Sequence, residues 1–155
     1  MRRIAKNIFI TALFLISAPC FSFCQTVSVN DLVQGYSNAT EVQKQEVLDK
    51  YKYKTIVVGG TIEDVADWAG FDEQADRPSH YYKVTTKQQA LGSGSYYQVI
   101  IFYKDKNSVD ALVKGQPIDV NGALVRIIDE PGLLSLWFYA DELTSEDKVM
   151  FDAYL

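Results

Sequence analysis

The sequence predicts a mainly β protein in which five strands close into a small Greek-key barrel, with helices before and after it. Three observations lead to this prediction. Two long β-branched runs hold glycines near their middle, at Gly59-Gly60 and at Gly122. A short capped segment separates the third strand run from the fourth, and helix-capping patterns flank the strand region on both sides. Glycine inside a strand permits the sharp bends that strands need at the corners of a small barrel.

The first 24 residues have the pattern of a secretory signal peptide. Three basic residues near the start precede an apolar run, Ile8 to Ala18, which is too short to span the roughly 30 Å of a bilayer core. We expect cleavage near Cys24, which leaves the mature protein in the periplasm or outside the cell. Lipidation at Cys20 or Cys24 is the alternative, and only a lipidated chain is expected to attach to a membrane.

A helical lead-in is predicted between the signal and the strands. A short helix from Asp31 to Tyr36 is expected to open at Asn30, and a second helix is expected to open at Asn38, where Glu41 completes a capping box. The predicted divisions of the chain are a signal peptide (1–24), a helical lead-in (25–52), a barrel (53–143) and a C-terminal helix opened by a Thr or Ser capping box (144–155).

Five strand-like runs follow the lead-in, each rich in β-branched and aromatic residues. They are Lys54–Trp68, His80–Lys87, Tyr96–Lys104, Pro117–Ile128 and Leu133–Asp141. Gln88 to Ser95 is predicted to be a flexible loop between the second and third strands, because it contains two glycines and two serines. Asn107 to Gly115 is predicted to hold a short helix that a glycine ends.

The pair Asn121-Gly122 has two interpretations. Asn-Gly between apolar runs is a strong hairpin signal, and a hairpin would divide the fourth run into two short strands. The alternative is a bend inside one long strand, Pro117 to Ile128. Glycine would then have the same role, allowing a strand to bend, at Gly122 and at Gly59-Gly60. We favour the bend, because Gly59-Gly60 lies in the middle of the first run in the same way.

Three strands, a short helix and two further strands are the element order of the OB-fold, a five-stranded Greek-key barrel. The sequence also resembles a bacterial family described as tRNA-anticodon-like OB-fold proteins, over residues 29–142. The segments that carry the resemblance are VNDLVQGYSNATEVQKQEVLDKY (29–51), YKYKTIVVGGTIEDV (51–65) and LVKGQPIDVNGAL (112–124). The resemblance implies the fold and the helical lead-in.

Aromatic residues predict a binding surface. An OB-fold binds ligands on its second and third strands and through the loops that join strands one to two and four to five. Aromatic rings in those parts of the chain can stack on bases or sugars, although packing onto the barrel is the alternative for each tyrosine. The predicted ligand-binding residues are Trp68, Phe71, Tyr81, Tyr82, Tyr96 and Tyr103.

Few residues are suited to catalysis or to metal binding. His80 is the one histidine, and the mature chain is expected to lack cysteine. The sequence therefore favours neither a zinc site nor an enzyme, and no cofactor is expected. Six acidic residues from Glu63 to Asp76 leave calcium binding as an alternative, although their spacing does not match an EF-hand loop.

The charge of the chain argues against nucleic acid as its main partner. The formal charge is −5, and removal of the signal peptide leaves 12 basic and 20 acidic side chains, or −8. Nucleic-acid-binding proteins concentrate Lys and Arg instead. The sequence therefore predicts a non-catalytic binding or adaptor module of the bacterial cell envelope, with a protein, peptide or glycan as its ligand. Single-stranded nucleic-acid binding and calcium binding are the alternatives.

Overall fold

Six β-strands and three α-helices are present in the computed structural model, which describes residues 27–69, 80–92 and 94–153. The strands are β1 (Thr55–Ala69), β2 (His80–Thr86), β3 (Gln89–Gly92), β4 (Ser95–Tyr103), β5 (Pro117–Glu130) and β6 (Leu133–Tyr139). The helices are α1 (Val29–Ser37), α2 (Glu41–Tyr51) and α3 (Ser145–Asp152). The predicted mainly β class is confirmed.

Five of the strands form a ring. β1 pairs with β2 and with β5, β2 pairs with β4, and β6 lies between β4 and β5. β4 and β6 run parallel, whereas the other pairs of the ring are antiparallel. This connectivity is compatible with a β-barrel-like fold.

β3 is a sixth strand in a segment that the sequence predicts to be a loop. Gln89 pairs with Tyr97 at the start of β4. Gly92 and Gly94 have φ angles of 101° and 80°, left-handed conformations that glycine adopts without steric cost and that let the chain turn back at once. These glycines belong to a tight turn between two paired strands, so the predicted flexible loop from Gln88 to Ser95 is wrong.

Asn121-Gly122 lies inside a continuous strand. β5 runs without a break, and Gly122 pairs with Ile56 of β1. The hairpin is therefore excluded and the interpretation as one long strand is confirmed. β5 pairs with β1 up to Ala123 and with β6 from Ala123 onward, so its partner changes next to this glycine. β1 likewise exchanges β5 for β2 near Ile62, shortly after Gly59-Gly60.

The first two helices open at other residues than predicted. α1 opens at Ser28, whose side chain shares a capping box with Asp31, rather than at Asn30. α2 opens at Thr40 rather than at Asn38, which is the C-cap of α1 instead. Ser, Thr and Asn are all good N-caps, so local composition does not rank neighbouring candidates.

The C-terminal helix opens as predicted, with Thr144 and Asp147 forming its capping box. The helix expected between the third and fourth strands of the ring is a single 3-10 turn, Lys106–Ser108, so its predicted extent to Gly115 is wrong. None of the helices in the described ranges has the length and the apolar character needed to cross a bilayer.

Two separate groups of buried apolar side chains hold these elements together. The larger group lies inside the ring and receives Val29, Leu32 and Val33 from α1. The smaller group lies on the outer side of the ring, where Phe151 of α3 packs on Phe102 of β4. Both terminal helical segments are therefore packed onto the ring, one into its interior and one onto its outer surface.

Candidate ligand-binding face

The outer side of β4 and β6 carries large side chains that remain partly exposed. Along β4, Val99 and Ile101 belong to the cluster inside the ring, whereas Ile100 and Phe102 belong to the outer cluster. The pleat of a strand dictates this alternation. Trp137 of β6 is in register with Ile100, which places it on the same outer side.

Two tryptophans form the centre of this surface. The ring centroid of Trp68 lies 4.7 Å from that of Phe102, which lies 5.1 Å from that of Trp137. The two tryptophan rings are 6.1 Å apart and nearly perpendicular, and both side chains are only partly buried. We call the following residues the aromatic face: Trp68, Lys83, Ile100, Phe102, Arg126 and Trp137.

Two cationic side chains border the rings. The guanidinium carbon of Arg126 lies 5.8 Å from the centre of the Trp137 ring, within the range of a cation–π interaction. Lys83 is in register with Phe102 across β2 and β4, so its side chain leaves the sheet on the same side. Both side chains carry hydrogen-bond donors at the edge of the aromatic face.

Of the residues predicted to bind ligand, Trp68, Tyr82 and Tyr96 keep exposed surface. Trp68 and Tyr96 lie at opposite ends of β4, whereas Tyr82 packs against the cluster inside the ring. Trp68 lies on the aromatic face. Tyr96 is 45% exposed and lies near the turn between β5 and β6, because it is in register with Leu133. Phe71, which was predicted together with them, lies outside the described residues, as does the rest of the segment 70–79.

Three of the predicted tyrosines are packed against other side chains. Tyr81 is 2% exposed in the outer cluster, and Tyr103 is 7% exposed in the cluster inside the ring, where Tyr82 also packs. A buried ring cannot stack on a ligand, so in this conformation Tyr81 and Tyr103 do not form the surface that the sequence suggests. Adjacent tyrosines such as Tyr81 and Tyr82 must face opposite sides of a strand, and composition does not say which one faces outward.

Trp137 and Arg126 complete the aromatic face, although neither was predicted to bind ligand. A signal for Trp137 existed, because its neighbours Leu136 and Phe138 are strongly apolar and are fully buried, and alternation then places Trp137 outside. Arg126 had no such signal. The pairing of β5 with β6 is irregular between Leu124 and Arg126, and this bulge breaks the period of two that would otherwise assign its side.

A concavity of about 170 Å³ lies at the other end of β4, next to Tyr96. A lysine of the chain occupies its charged side. The Lys44 ammonium lies 2.9 Å from a carboxylate oxygen of Glu41 and 2.7 Å from one of Asp129, and it lies 5.4 Å from the ring centre of Tyr36. This lysine is already engaged by two carboxylates of the chain, whereas the aromatic face brings together two partly exposed tryptophans. We therefore take the aromatic face as the candidate ligand site.

Asp147 fixes α3 to the ring beside the aromatic face. Its side chain is 1% exposed and accepts hydrogen bonds from the hydroxyls of Tyr81 (2.8 Å) and Thr144 (2.6 Å), with the Lys104 ammonium at 3.4 Å. Burial pushes the pKa of Asp147 upward. The hydrogen bonds from Thr144 and Tyr81 and the charge of Lys104 outweigh burial, so the pKa of Asp147 lies below its ordinary value.

We expect acid to weaken the fold through Asp147. A carboxyl group whose pKa is lower in the folded than in the unfolded state stabilises folding above its unfolded pKa, about 3.8, and this contribution is lost as the pH falls through the folded pKa. Asp147→Asn should lower the free energy of unfolding by about 1 kcal/mol at neutral pH and remove part of the acid dependence. Urea unfolding at neutral and acidic pH measures both effects. The exposed residue Asp110 provides the control, Asp110→Asn, and an unchanged acid dependence in Asp147→Asn would contradict the prediction.

The acidic segment that suggested calcium binding is described only in part. Glu63 lies 2.7 Å from the Lys114 ammonium, whereas Asp72, Glu73 and Asp76 lie outside the described residues. Within the described part of the chain, no group of three or more His, Cys, Asp or Glu side chains is arranged to hold a metal ion. His80 begins β2.

No family model and no curated protein matches the chain. Among solved structures, one from Klebsiella pneumoniae subsp. pneumoniae is described as a "putative nucleic acid-binding lipoprotein". It is 21% identical over 73% of this chain and 87% of that chain, with a TM-score of 0.48. A likeness at this level carries no argument about the fold or the ligand.

Proposed function

We propose that the protein is a non-catalytic binding module of the bacterial cell envelope, built on an OB-fold, and that its ligand binds on the aromatic face. The strand connectivity supports the fold, because five strands close into a ring and the two longest each exchange partners beside a glycine. Such bends are what a small closed barrel requires. The proposal includes membership of the tRNA-anticodon-like OB-fold family that the sequence resembles.

One observation carries the proposal of a binding site: two tryptophans, Trp68 and Trp137, lie together and partly exposed on the outer side of the ring. Large aromatic rings that keep part of their surface accessible at one place are typical of a recognition surface. OB-folds bind ligands through their second and third strands and the loop between the first two. The second and third strands of the ring, β2 and β4, contribute Lys83, Ile100 and Phe102 to the aromatic face, and Trp68 lies at the end of β1.

The aromatic face suits an extended ligand with flat rings. Sugar rings and aromatic side chains both stack on tryptophan, and Lys83 and Arg126 can donate hydrogen bonds to hydroxyl or carboxylate groups. The outer side of β4 from Phe102 to Tyr96 is about 20 Å long at roughly 3.3 Å per residue, which accommodates several units of a linear polymer. We therefore propose a protein, peptide or glycan of the envelope as the ligand.

Single-stranded nucleic acid is the second candidate, and it is favoured by the two cations beside the rings. Bases stack on aromatic side chains while Lys and Arg contact the phosphates, an arrangement that Trp137, Arg126 and Lys83 reproduce. The negative net charge of the chain opposes this ligand beyond the aromatic face. Binding of nucleic acid is therefore expected to be weak and to fall steeply with salt.

The envelope location rests on residues 1–26, which lie outside the described residues. We propose export to the periplasm or beyond, with cleavage near Cys24 and with lipidation at Cys20 or Cys24 as the alternative. Fractionation of cells that express the full chain separates these outcomes. A soluble periplasmic or secreted product supports cleavage. A membrane-associated product that Cys20→Ser or Cys24→Ser releases supports lipidation.

We expect Trp137→Ala to weaken ligand binding roughly tenfold or more, because stacking on one aromatic side chain contributes about 1–3 kcal/mol. Fluorescence of the remaining Trp68 reports binding during titration with two probes, a soluble peptidoglycan digest and a fifteen-residue oligothymidylate. Each titration is repeated at low and at physiological salt. Circular dichroism confirms that the variant is folded.

Tyr51→Ala is the matched control for this experiment. Tyr51 is also an aromatic residue with a cation over its ring, since the Lys50 ammonium lies 4.8 Å from the ring centre, but it belongs to α2 and not to the aromatic face. Its replacement should leave the affinity unchanged. Equal affinities of wild type and Trp137→Ala for a probe that binds would remove the aromatic face as the site. Binding of oligothymidylate alone would replace the first candidate ligand with the second.

A further inference from the structure

Helix α3 covers part of the surface on which the aromatic face lies. Phe151 of α3 is 3% exposed, and its ring centroid lies 5.9 Å from that of Tyr81, 5.6 Å from that of Phe102 and 5.7 Å from that of Tyr139. Phe102 belongs to both groups, because it also packs on Trp68. The aromatic surface of the ring therefore continues beneath the helix.

The part beneath α3 is a pocket for a single ring. Its three walls, Tyr81, Phe102 and Tyr139, come from β2, β4 and β6, so strand pairing fixes their backbones independently of the helix. The cluster inside the ring consists of other residues. Withdrawal of Phe151 would therefore uncover the pocket without opening the interior of the ring.

Polar contacts hold α3 near both of its ends. Asp147 accepts its hydrogen bond from Tyr81, and Asp152 is bound by the Lys52 ammonium at 2.7 Å and by the Tyr53 hydroxyl. Both contacts depend on carboxylates. Water solvates a released carboxylate strongly, so such a contact costs less to open than its Coulombic attraction alone suggests. Opening the helix thus needs the withdrawal of Phe151 and of the partly buried Met150 from the outer cluster. It also needs the release of the Asp147–Tyr81 hydrogen bond and of the ion pairs that Asp147 and Asp152 form with Lys104 and Lys52.

We propose that α3 is a displaceable cover, and that Tyr81, Phe102 and Tyr139 form a subsite for an aromatic side chain of a peptide or protein ligand, filled in the free protein by Phe151. This inference rests on the proposed function, because it places the subsite at the end of the same ligand site. Displacement of α3 extends the aromatic face as far as Tyr139. The ligand ring and Phe151 then compete for one pocket. Substitutions that weaken the contacts between α3 and the ring should therefore strengthen ligand binding.

Hydrogen exchange of the full chain tests the cover without any ligand. Amides of α3 should exchange by local opening, faster than amides in the centre of β4 and β6, which require unfolding of the ring. Phe151→Ala should speed the exchange of α3 about 100-fold or more, since burial of a phenylalanine ring changes an opening equilibrium by this factor, while β4 stays protected. Val149→Ala is the matched control, because Val149 is on the same helix and 69% exposed.

A flat aromatic anion, 1-anilinonaphthalene-8-sulfonate, probes the subsite itself. It should bind Phe151→Ala with one-to-one stoichiometry and at least tenfold more tightly than it binds wild type or Val149→Ala. Exchange of α3 only together with β4, or a folded Phe151→Ala chain that binds the probe no more tightly, overturns the inference. If Phe151→Ala does not fold, hydrogen exchange of Asp147→Asn provides the test. Loss of the Asp147 contact should then speed the exchange of α3 roughly fivefold, and unchanged exchange overturns the inference.

The proposed function can fail while this inference stands, and the two outcomes are distinct. An opening helix with a probe-binding subsite, combined with no binding of peptidoglycan fragments or oligothymidylate, would remove peptidoglycan and single-stranded nucleic acid as ligands and retain the cover.

Discussion

Replacement of Leu32 by alanine is expected to lower the free energy of unfolding by about 2–5 kcal/mol, the range for truncation of a fully buried leucine. Leu32 belongs to α1 but is 0% exposed, in the cluster inside the strand ring. Paired strands surround that cluster and cannot move inward easily to fill the space that the missing atoms leave. The cost of the cavity therefore adds to the loss of apolar burial.

Urea unfolding followed by tryptophan fluorescence and by circular dichroism measures this effect. Gln34→Ala is the control, because Gln34 lies on the exposed side of the same helix and its replacement preserves helix propensity. The two signals should move together in Leu32→Ala. A loss of helical signal alone, with the fluorescence transition unchanged, would show that α1 detaches from an independently stable ring.

The position of α1 explains why a lead-in helix has such influence on the ring. Over its first half β1 pairs with β5, and its other edge meets Ser28, which forms a parallel bridge with Val57 immediately before α1 begins. On the other side of the helix, the Tyr97 hydroxyl contacts Asn30 at 2.8 Å. α1 therefore lies between β1 and β4. The predicted boundary near residue 52 thus divides the chain but does not divide the core.

The local sequence pattern was sufficient to predict most of the ring. A strand that is buried on one side has alternating apolar and polar residues, and this alternation is visible in its own sequence. The long strands β1 and β5 and their glycines were predicted in this way. β3 was not, since its four residues, Gln89–Gly92, have the composition of a loop and become a strand only through pairing with β4. Pairing between separate segments is a tertiary property that a local window does not contain.

The candidate site was predicted less completely, for a related reason. Trp68 could be assigned to the binding surface because it ends the first strand run. Tyr81 also lies on the outer side of the ring, and its burial depends on α3, more than sixty residues later in the chain. Which outer residues remain exposed is decided by the element that packs on them, so alternation alone could not separate Trp137 from Tyr81.

Gly60→Ala is expected to lower the free energy of unfolding by about 1–3 kcal/mol, the usual cost of forcing an extra carbon into a packed site. A Cβ at this position would lie 2.8 Å from Cγ2 and 3.0 Å from Cβ of Thr86. Thr86 has little freedom to move, because it is 0% exposed. Its hydroxyl donates to the Val99 carbonyl at 3.2 Å and accepts from the Val99 amide at 3.1 Å, which links the end of β2 to β4.

Gly59 provides the matched control, since a Cβ there would meet only the Ile118 carbonyl oxygen, at an ordinary 3.6 Å. Gly59→Ala should be neutral or slightly stabilising, because alanine restricts the unfolded chain. Thr86→Ser removes Cγ2 and keeps the hydroxyl, so the double variant with Gly60→Ala should recover part of the loss in a double-mutant cycle. Equal losses of unfolding free energy in Gly59→Ala and Gly60→Ala, with no coupling to Thr86, would contradict a steric role for Gly60. The effects would then reflect only the general preference of strands for one residue over another. A loss at Gly60 alone, relieved by Thr86→Ser, would show that close approach of β1 to Thr86 at this corner of the ring requires the glycine.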